Sequence, residues 1–250
     1  MRFDVITLFP ELFAPHQTSG VTRRAYESGA IELALWPLRE YADDAYRRVD
    51  DRPFGGGPGM VMLAGPLQRA LAAVRAARGG DRMPLVHFTP TGRPLTQALV
   101  QEFAQGRGAV LLCARYEGVD QRFIDAHVDL EISLGDYVLS GGELPALVLL
   151  DAVARLQPGV LSEPSPLADS FSDGLLEGPH YSRPETLDTA AGPLSVPKVL
   201  LSGHHGDIAR WRREQALRIT AQRRPDLIAK ARAEGRLDAA DEAYLRTLRL

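Results

Sequence analysis

Three glycine-bearing stretches hold the residue types from which a ligand site could be built. Asp50-Asp51-Arg52-Pro53-Phe54-Gly55-Gly56-Gly57-Pro58-Gly59-Met60 sets four glycines within five residues. Such a backbone can take positive φ and let another molecule approach closely. Taken alone, it reads more readily as a flexible surface turn. Arg115-Tyr116-Glu117-Gly118-Val119-Asp120 follows an apolar run. Loops at the carboxyl ends of parallel strands are where open α/β sheets hold ligands, although a solvated loop with an Arg–Glu pair reads the same way. Leu134-Gly135-Asp136-Tyr137-Val138-Leu139-Ser140-Gly141-Gly142-Glu143 again runs from an apolar segment through glycines into a helical one. Its N–H and C=O groups suit the edge of a purine. It contains no basic residue and matches neither a P-loop nor G-x-G-x-x-G, so it is no polyphosphate cradle. A nucleoside-type ligand without a phosphate chain fits better than a nicotinamide dinucleotide.

The remaining reactive side chains carry weaker signals. Asp169 lies in a polar, proline-bearing stretch and reads by residue type as a solvated loop carboxylate. The six histidines show no metal-ligand spacing, and His204-His205 are adjacent, which suits a loop better than a shared tetrahedral site. Cys113 ends an apolar run and reads as a small buried hydrophobe. No local pattern suggests Ser-His-Asp or Cys-His catalysis, and no metal site is expected.

Regular elements must position these loops. Phe3–Phe9 and Ile31–Trp36 read as strands, and Pro66–Arg78 has helical spacing closed by Gly79-Gly80. An alternation follows: strand Leu85–Thr89, helix Thr96–Ala104, strand Ala109–Cys113, helix Val119–His127, strand Leu130–Leu134 and helix Glu143–Leu156. That order predicts parallel strands with crossover helices, an α/β fold. The last helix should start near Gly142, with Ser140-x-x-Glu143 resembling a capping box and Pro145 in the first turn. Its leucine-rich first half should be buried all round. Helices are also predicted over Asp207–Arg223, with an aspartate N-cap, and over Ile228–Glu234 and Ala239–Leu248. The expected organisation is residues 1–160 as an α/β domain, 161–178 as a flexible linker, and 179–250 as a small all-α domain.

Composition bounds the class. The chain has 250 residues, 45% hydrophobic and 24% charged, which excludes wholesale disorder. Its 23 Gly and 18 Pro predict long structured loops, and its single cysteine excludes a disulfide framework. Met1-Arg2-Phe3-Asp4 lacks the apolar core of a secretory signal, and the longest apolar run, Leu144–Leu150, is far too short to span a membrane. A cytoplasmic protein with no membrane partner is expected. Net charge is −3, but Lys198–Arg236 holds ten Lys or Arg against four Asp or Glu, which leaves the rest of the chain at −9. A basic segment on an acidic body suits an anionic polymer as partner, though a solvated helix face reads likewise.

The motifs together resemble the bacterial tRNA (guanine-N1)-methyltransferases. The resemblance lies in Val49–Met60, Arg115-Tyr116-Glu117-Gly118, Gly135–Pro145, Pro179-His180-Tyr181-Ser182-Arg183-Pro184, Val196-Pro197 and Leu200–His205, in order along nearly the whole chain. It implies a SPOUT-type parallel sheet with a deep trefoil knot, and a homodimer whose active sites are shared between subunits. It implies methyl transfer from S-adenosylmethionine to N1 of the guanosine immediately 3′ of the anticodon. Another RNA methyltransferase of that superfamily, acting on a different nucleotide, is the alternative. The cofactor pocket then maps onto Thr89, Pro90, Gly92, Ala114, Tyr116, Glu117, Gly118, Leu134, Gly135, Asp136, Tyr137, Val138, Leu139, Gly141, Gly142 and Pro145. Asp169 takes the place of the general base, and Arg155 that of its partner from the other subunit. Gly57, Pro58 and Gly59, with Arg210, Arg212, Arg213, Arg218, Arg223 and Arg224, are expected to touch tRNA. Magnesium is suggested by the family, whereas no liganding pattern here requires it. Ala114 stands where the family usually has glycine and Phe54 where tyrosine is usual. The stretch from Arg155 to Asp169 is a residue short, which keeps Asp173 as a second candidate base.

Overall fold

Short apolar runs separated by amphipathic stretches pair into one parallel sheet in the computed structural model, which describes residues 1–162 and 169–248. The chain divides into two compact units, Met1–Ser162 and Glu163–Leu250. In the first, strands β1 (Arg2–Thr7), β2 (Glu32–Pro37), β5 (Leu85–Pro94), β6 (Gly108–Leu112) and β7 (Leu130–Ser133) lie in the order β2-β1-β6-β5-β7. All neighbours in this sheet are parallel. Two-residue strands β3 (Asp50–Asp51) and β4 (Val61–Met62) form a separate antiparallel pair.

Strand alternation feeds two cores. Phe3, Val5, Val86, Phe88, Ala109, Leu111 and Ile132 face one side with helices α4 (Gln97–Gln105) and α6 (Glu143–Ala154). Ile6, Leu85, Val110 and Leu112 face the other with α3 (Ala64–Ala77) and α5 (Gln121–His127). Short helices α1 (Ala14–Thr18) and α2 (Arg23–Glu27) join β1 to β2. Burying both faces explains why these strands read as continuous apolar runs. Asp4, a carboxylate with no exposed surface on the interior strand β1, is held by Arg78 Nε at 2.6 Å, Trp36 Nε1 at 2.8 Å and Arg2 Nη2 at 2.8 Å.

Four local expectations need correction. Strand β5 does not stop at Thr89. It slips register after Phe88 and pairs again at Arg93 and Pro94 with Ile132 and Ser133. Helix α6 does start after Gly142, but no capping box forms, because the Glu143 carboxylate turns to other partners. Nor is its first half buried all round: Leu144 is 53% and Val148 47% exposed. Finally, α5 begins at Gln121 with Asp120 as its N-cap, its side chain accepting from Arg122 N.

The second unit contains α7 (His205–Arg223), α8 (Pro225–Ala233) and α9 (Ala239–Thr247), packed around Leu175, Leu217, Ile228 and Ala231. The expectation of an all-α domain is incorrect. Strands β8 (Thr186–Thr189) and β9 (Gly192–Ser195) pair antiparallel, with Leu187 opposite Leu194. Four residues of alternation without a strong turn dipeptide leave little trace in sequence. Helix α7 starts two residues before Asp207, with His204 at the N-cap and Asp207 in the first turn. Of the segment read as a linker, residues 163–168 lie outside the described ones. Asp169–Gly178 packs within the second unit, where Leu175 is buried and Leu176 N donates to Thr220 Oγ1 at 2.9 Å. Among the described residues, no helix is long and apolar enough to cross a membrane.

Candidate active site

At the carboxyl ends of β6 and β7, and beside the register slip of β5, the chain encloses a cleft of about 280 Å³. The structure brings Thr89, Pro90, Ala114, Tyr116, Glu117, Gly118, Leu134, Gly135, Tyr137, Val138, Leu139, Gly141, Gly142 and Pro145 to its wall. Gly92 and Asp136 are not on that wall. Gly92 sits at the register slip of β5, where a Cβ would run into the backbone of Ile132. Asp136 is exposed on the loop. Sequence reasoning missed Arg115, Ser140 and the His87 and Phe88 positions, all of which line the cleft.

Backbone contacts set the shape. Gly142 N donates to Ala114 O at 2.9 Å, and a Cβ on Gly142 would lie 2.6 Å from Cys113 Cα, so this crossing admits only glycine. Ala114 has no positive φ, so its methyl adds no left-handed strain; Tyr116 is the residue that takes φ +62°. Burial, and then the nearby Asp50 carboxylate, raise the Tyr116 hydroxyl above the ordinary phenol range. Glu117 N donates to Met60 O at 3.0 Å and Met62 N to Gly118 O at 2.9 Å. These bonds stitch the Gly57-Pro58-Gly59 loop to the cleft, with the Glu117 side chain over Gly59. Phe54 at the tip of this loop is 99% exposed.

The arginine on the cleft wall is paired with a buried carboxylate. Arg115 pairs with buried Glu143 at 2.8 Å, not with neighbouring Glu117 as its sequence suggested. Burial holds the His87 imidazole below its usual range despite Glu131 at 3.2 Å from Nδ1, which favours the neutral ring at neutral pH. Burial drives the Cys113 thiol well up, so it is no nucleophile at neutral pH. Among the described residues, no group of three or more His, Cys, Asp or Glu side chains is gathered to hold a metal ion.

Asp169 belongs to the second unit. It lines a cavity of about 340 Å³ with Asp173, His180, Arg212 and Arg213. Asp173 accepts from Arg213 Nη1 at 2.6 Å and from Leu175 N at 3.0 Å, while His180 Nε2 meets Glu177 at 2.7 Å. Arg155 caps the C-terminus of α6 in the first unit. Of the expected tRNA contacts, Arg213 is engaged by Asp241 and Asp173, Arg224 by Asp226, Arg210 by Glu214, and Arg218 by Gln215. Arg212 and Arg223 are exposed and make no ion pair among the described residues.

Comparison with known proteins gives a consistent answer. The sequence profile of the family described as tRNA (Guanine-1)-methyltransferase TrmD matches residues 1–230. A tRNA (guanine-N(1)-)-methyltransferase of Methylibium petroleiphilum is 69% identical over 252 aligned residues, covering 99% of this chain and 98% of that protein. The protein of the same name from Leptothrix cholodnii is 68% identical, covering 100% of both chains. That from Bordetella pertussis is 54% identical, covering 99% of this chain and 98% of its own. Sequence similarity along the full length and a glycine-walled cleft at the strand ends agree: the chain belongs to the TrmD family of tRNA (guanine-1)-methyltransferases.

Proposed function

We propose that this chain methylates N1 of the guanosine immediately 3′ of the anticodon in tRNA, with S-adenosylmethionine as methyl donor. The observation that carries the reading is the cleft at the strand ends. Its wall is largely backbone and apolar side chain, and its one lining arginine is neutralised by Glu143. Such a site suits a nucleoside without phosphates and tolerates a cationic sulfonium. The donor supplies an electrophilic methyl group, and the remaining work falls to the protein. Guanine N1 carries a proton and is a poor nucleophile until it leaves. Asp169 takes that proton, and Arg155 stabilises the negative charge that then builds on O6.

The two residues lie in different units, and we infer that a second copy of the chain completes each site. The half-exposed Leu144 and Val148 on α6, with Phe9 at 38% and Leu12 at 42% exposed, support a homodimer, since dimer interfaces resemble domain cores. A trefoil knot belongs to the same reading. The parallel sheet and the tight seating of Gly142 against Cys113 and Ala114 support it.

The decisive test is methyl transfer to tRNA transcripts that differ only at the base 3′ of the anticodon. Product is expected with guanine alone and should map to N1. Methyl on a ribose, a pyrimidine or another position would replace this substrate with that of the wider superfamily. Arg212 and Arg223 serve as phosphate contacts in this reading. Replacing both by alanine should weaken tRNA binding and reduce the log–log salt slope by roughly 1.4–1.8. A filter-binding titration from low to high salt checks it, and an unchanged slope removes both residues from the interface.

A further inference from the structure

Glu143 has no exposed side-chain surface, yet it carries a charge at the first position of α6. Both carboxylate oxygens are occupied. Oε1 accepts from Thr7 Oγ1 at 2.8 Å, at the end of β1, and Oε2 from Arg115 Nε at 2.8 Å. Arg115 then spans the mouth of the loop: Nη1 donates to Ser140 O at 3.2 Å and to Ser140 Oγ at 3.3 Å. Its guanidinium also stacks on Phe9, with Cζ 4.5 Å from the ring centroid. Gly141 passes beneath the same guanidinium, where any Cβ would strike the Arg115 side chain. One buried carboxylate thus ties the rigid sheet to the 139–142 loop that walls the cleft.

We propose that Glu143 is a positioning residue for the methyl donor. Through Arg115 it fixes the 139–142 loop in the shape that admits the donor, and it cancels the arginine charge beside a cationic sulfonium. Only a planar guanidinium can bond the carboxylate and the Ser140 groups at once; a lysine keeps the charge but has no fork. This inference rests on the reading that S-adenosylmethionine occupies the cleft.

Calorimetry with the full chain tests it, using S-adenosylmethionine and its demethylated, uncharged product S-adenosylhomocysteine as probes. Arg115→Lys should weaken both by about tenfold, because the loop is released while the charge is kept. Glu143→Gln should weaken the donor about threefold more than the product, because an uncompensated cation repels the sulfonium. The tRNA dissociation constant should stay unchanged in both variants. Arg115→Lys occupies a site that is 19% exposed and should fold, so the inference remains testable if Glu143→Gln does not. Wild-type affinity for both probes in Arg115→Lys overturns the clamp. So does a loss of donor, product and tRNA binding in step with the melting temperature, which marks a scaffold role. A wild-type protein that gives no heat with either probe instead defeats the donor assignment on which the inference stands.

Discussion

Asp169→Asn is expected to lower the rate of N1 methylation by about 10²–10⁴-fold while leaving donor and tRNA affinities near those of the wild type. Asparagine keeps the size and polarity of the side chain but cannot accept the proton of guanine N1. Catalysis should then depend on the small fraction of guanine that has already lost its proton to solvent. Single-turnover rates of the variant should therefore rise about tenfold per pH unit on the alkaline side, a dependence that a purely positional role does not produce. The comparison variant is Asp173→Asn. Asp173 lines the same cavity, but its oxygens are taken by Arg213 and Leu175 N, so its loss should reduce stability more than rate. If Asp173→Asn abolishes turnover and Asp169→Asn does not, the base is Asp173.

The largest stability effect should come from Asp4→Ala. Removing this carboxylate strands Arg78, whose side chain is 6% exposed, and leaves the indole N–H of Trp36 without its acceptor. Breaking a buried pair in this way costs about 3–5 kcal/mol, or roughly 6–20 °C in the melting temperature of a chain this size. The double change Asp4→Leu with Arg78→Met should recover much of the loss, since a packed apolar pair needs no partner charge. Thermal unfolding followed by circular dichroism reads both. A single-variant loss under about 1 kcal/mol would show that water reaches the cluster.

The sequence revealed elements wherever local physics decides them. Thr96 was readable as the start of α4, and its hydroxyl accepts from Leu99 N at 3.3 Å. The apolar runs of β6 and β7 were equally plain, because both faces of the sheet are covered. Long-range partners were not legible. Ser140 and Glu143 have the spacing of a capping box, but Glu143 is captured by Thr7, 136 residues away, and no local rule contains that contact. Leu144 and Val148 have the same composition as the buried leucines beside them, and only the packing of α6 separates the two faces. Arg213 could not be told from Arg212 by type or position. Two carboxylates, Asp173 and Asp241, bind the former inside its own unit, while the latter stays exposed. The cleft was legible because two of the three glycine-rich loops follow strands of the parallel sheet. The extra pairing of β5 at Arg93 and Pro94 was not, because it depends on a register slip.

The strand order sets a problem of timing. Strand β1 pairs with β2 on one side, but its other neighbour, β6, is encoded about a hundred residues later. At ribosomal speeds of about 5–20 residues per second, one flank of β1 stays without a mate for roughly 5–20 s. A bare apolar edge in a nascent chain invites association with other chains. Co-expression with a holdase should therefore raise the soluble yield of this protein, even though in the finished sheet β1 is paired on both sides.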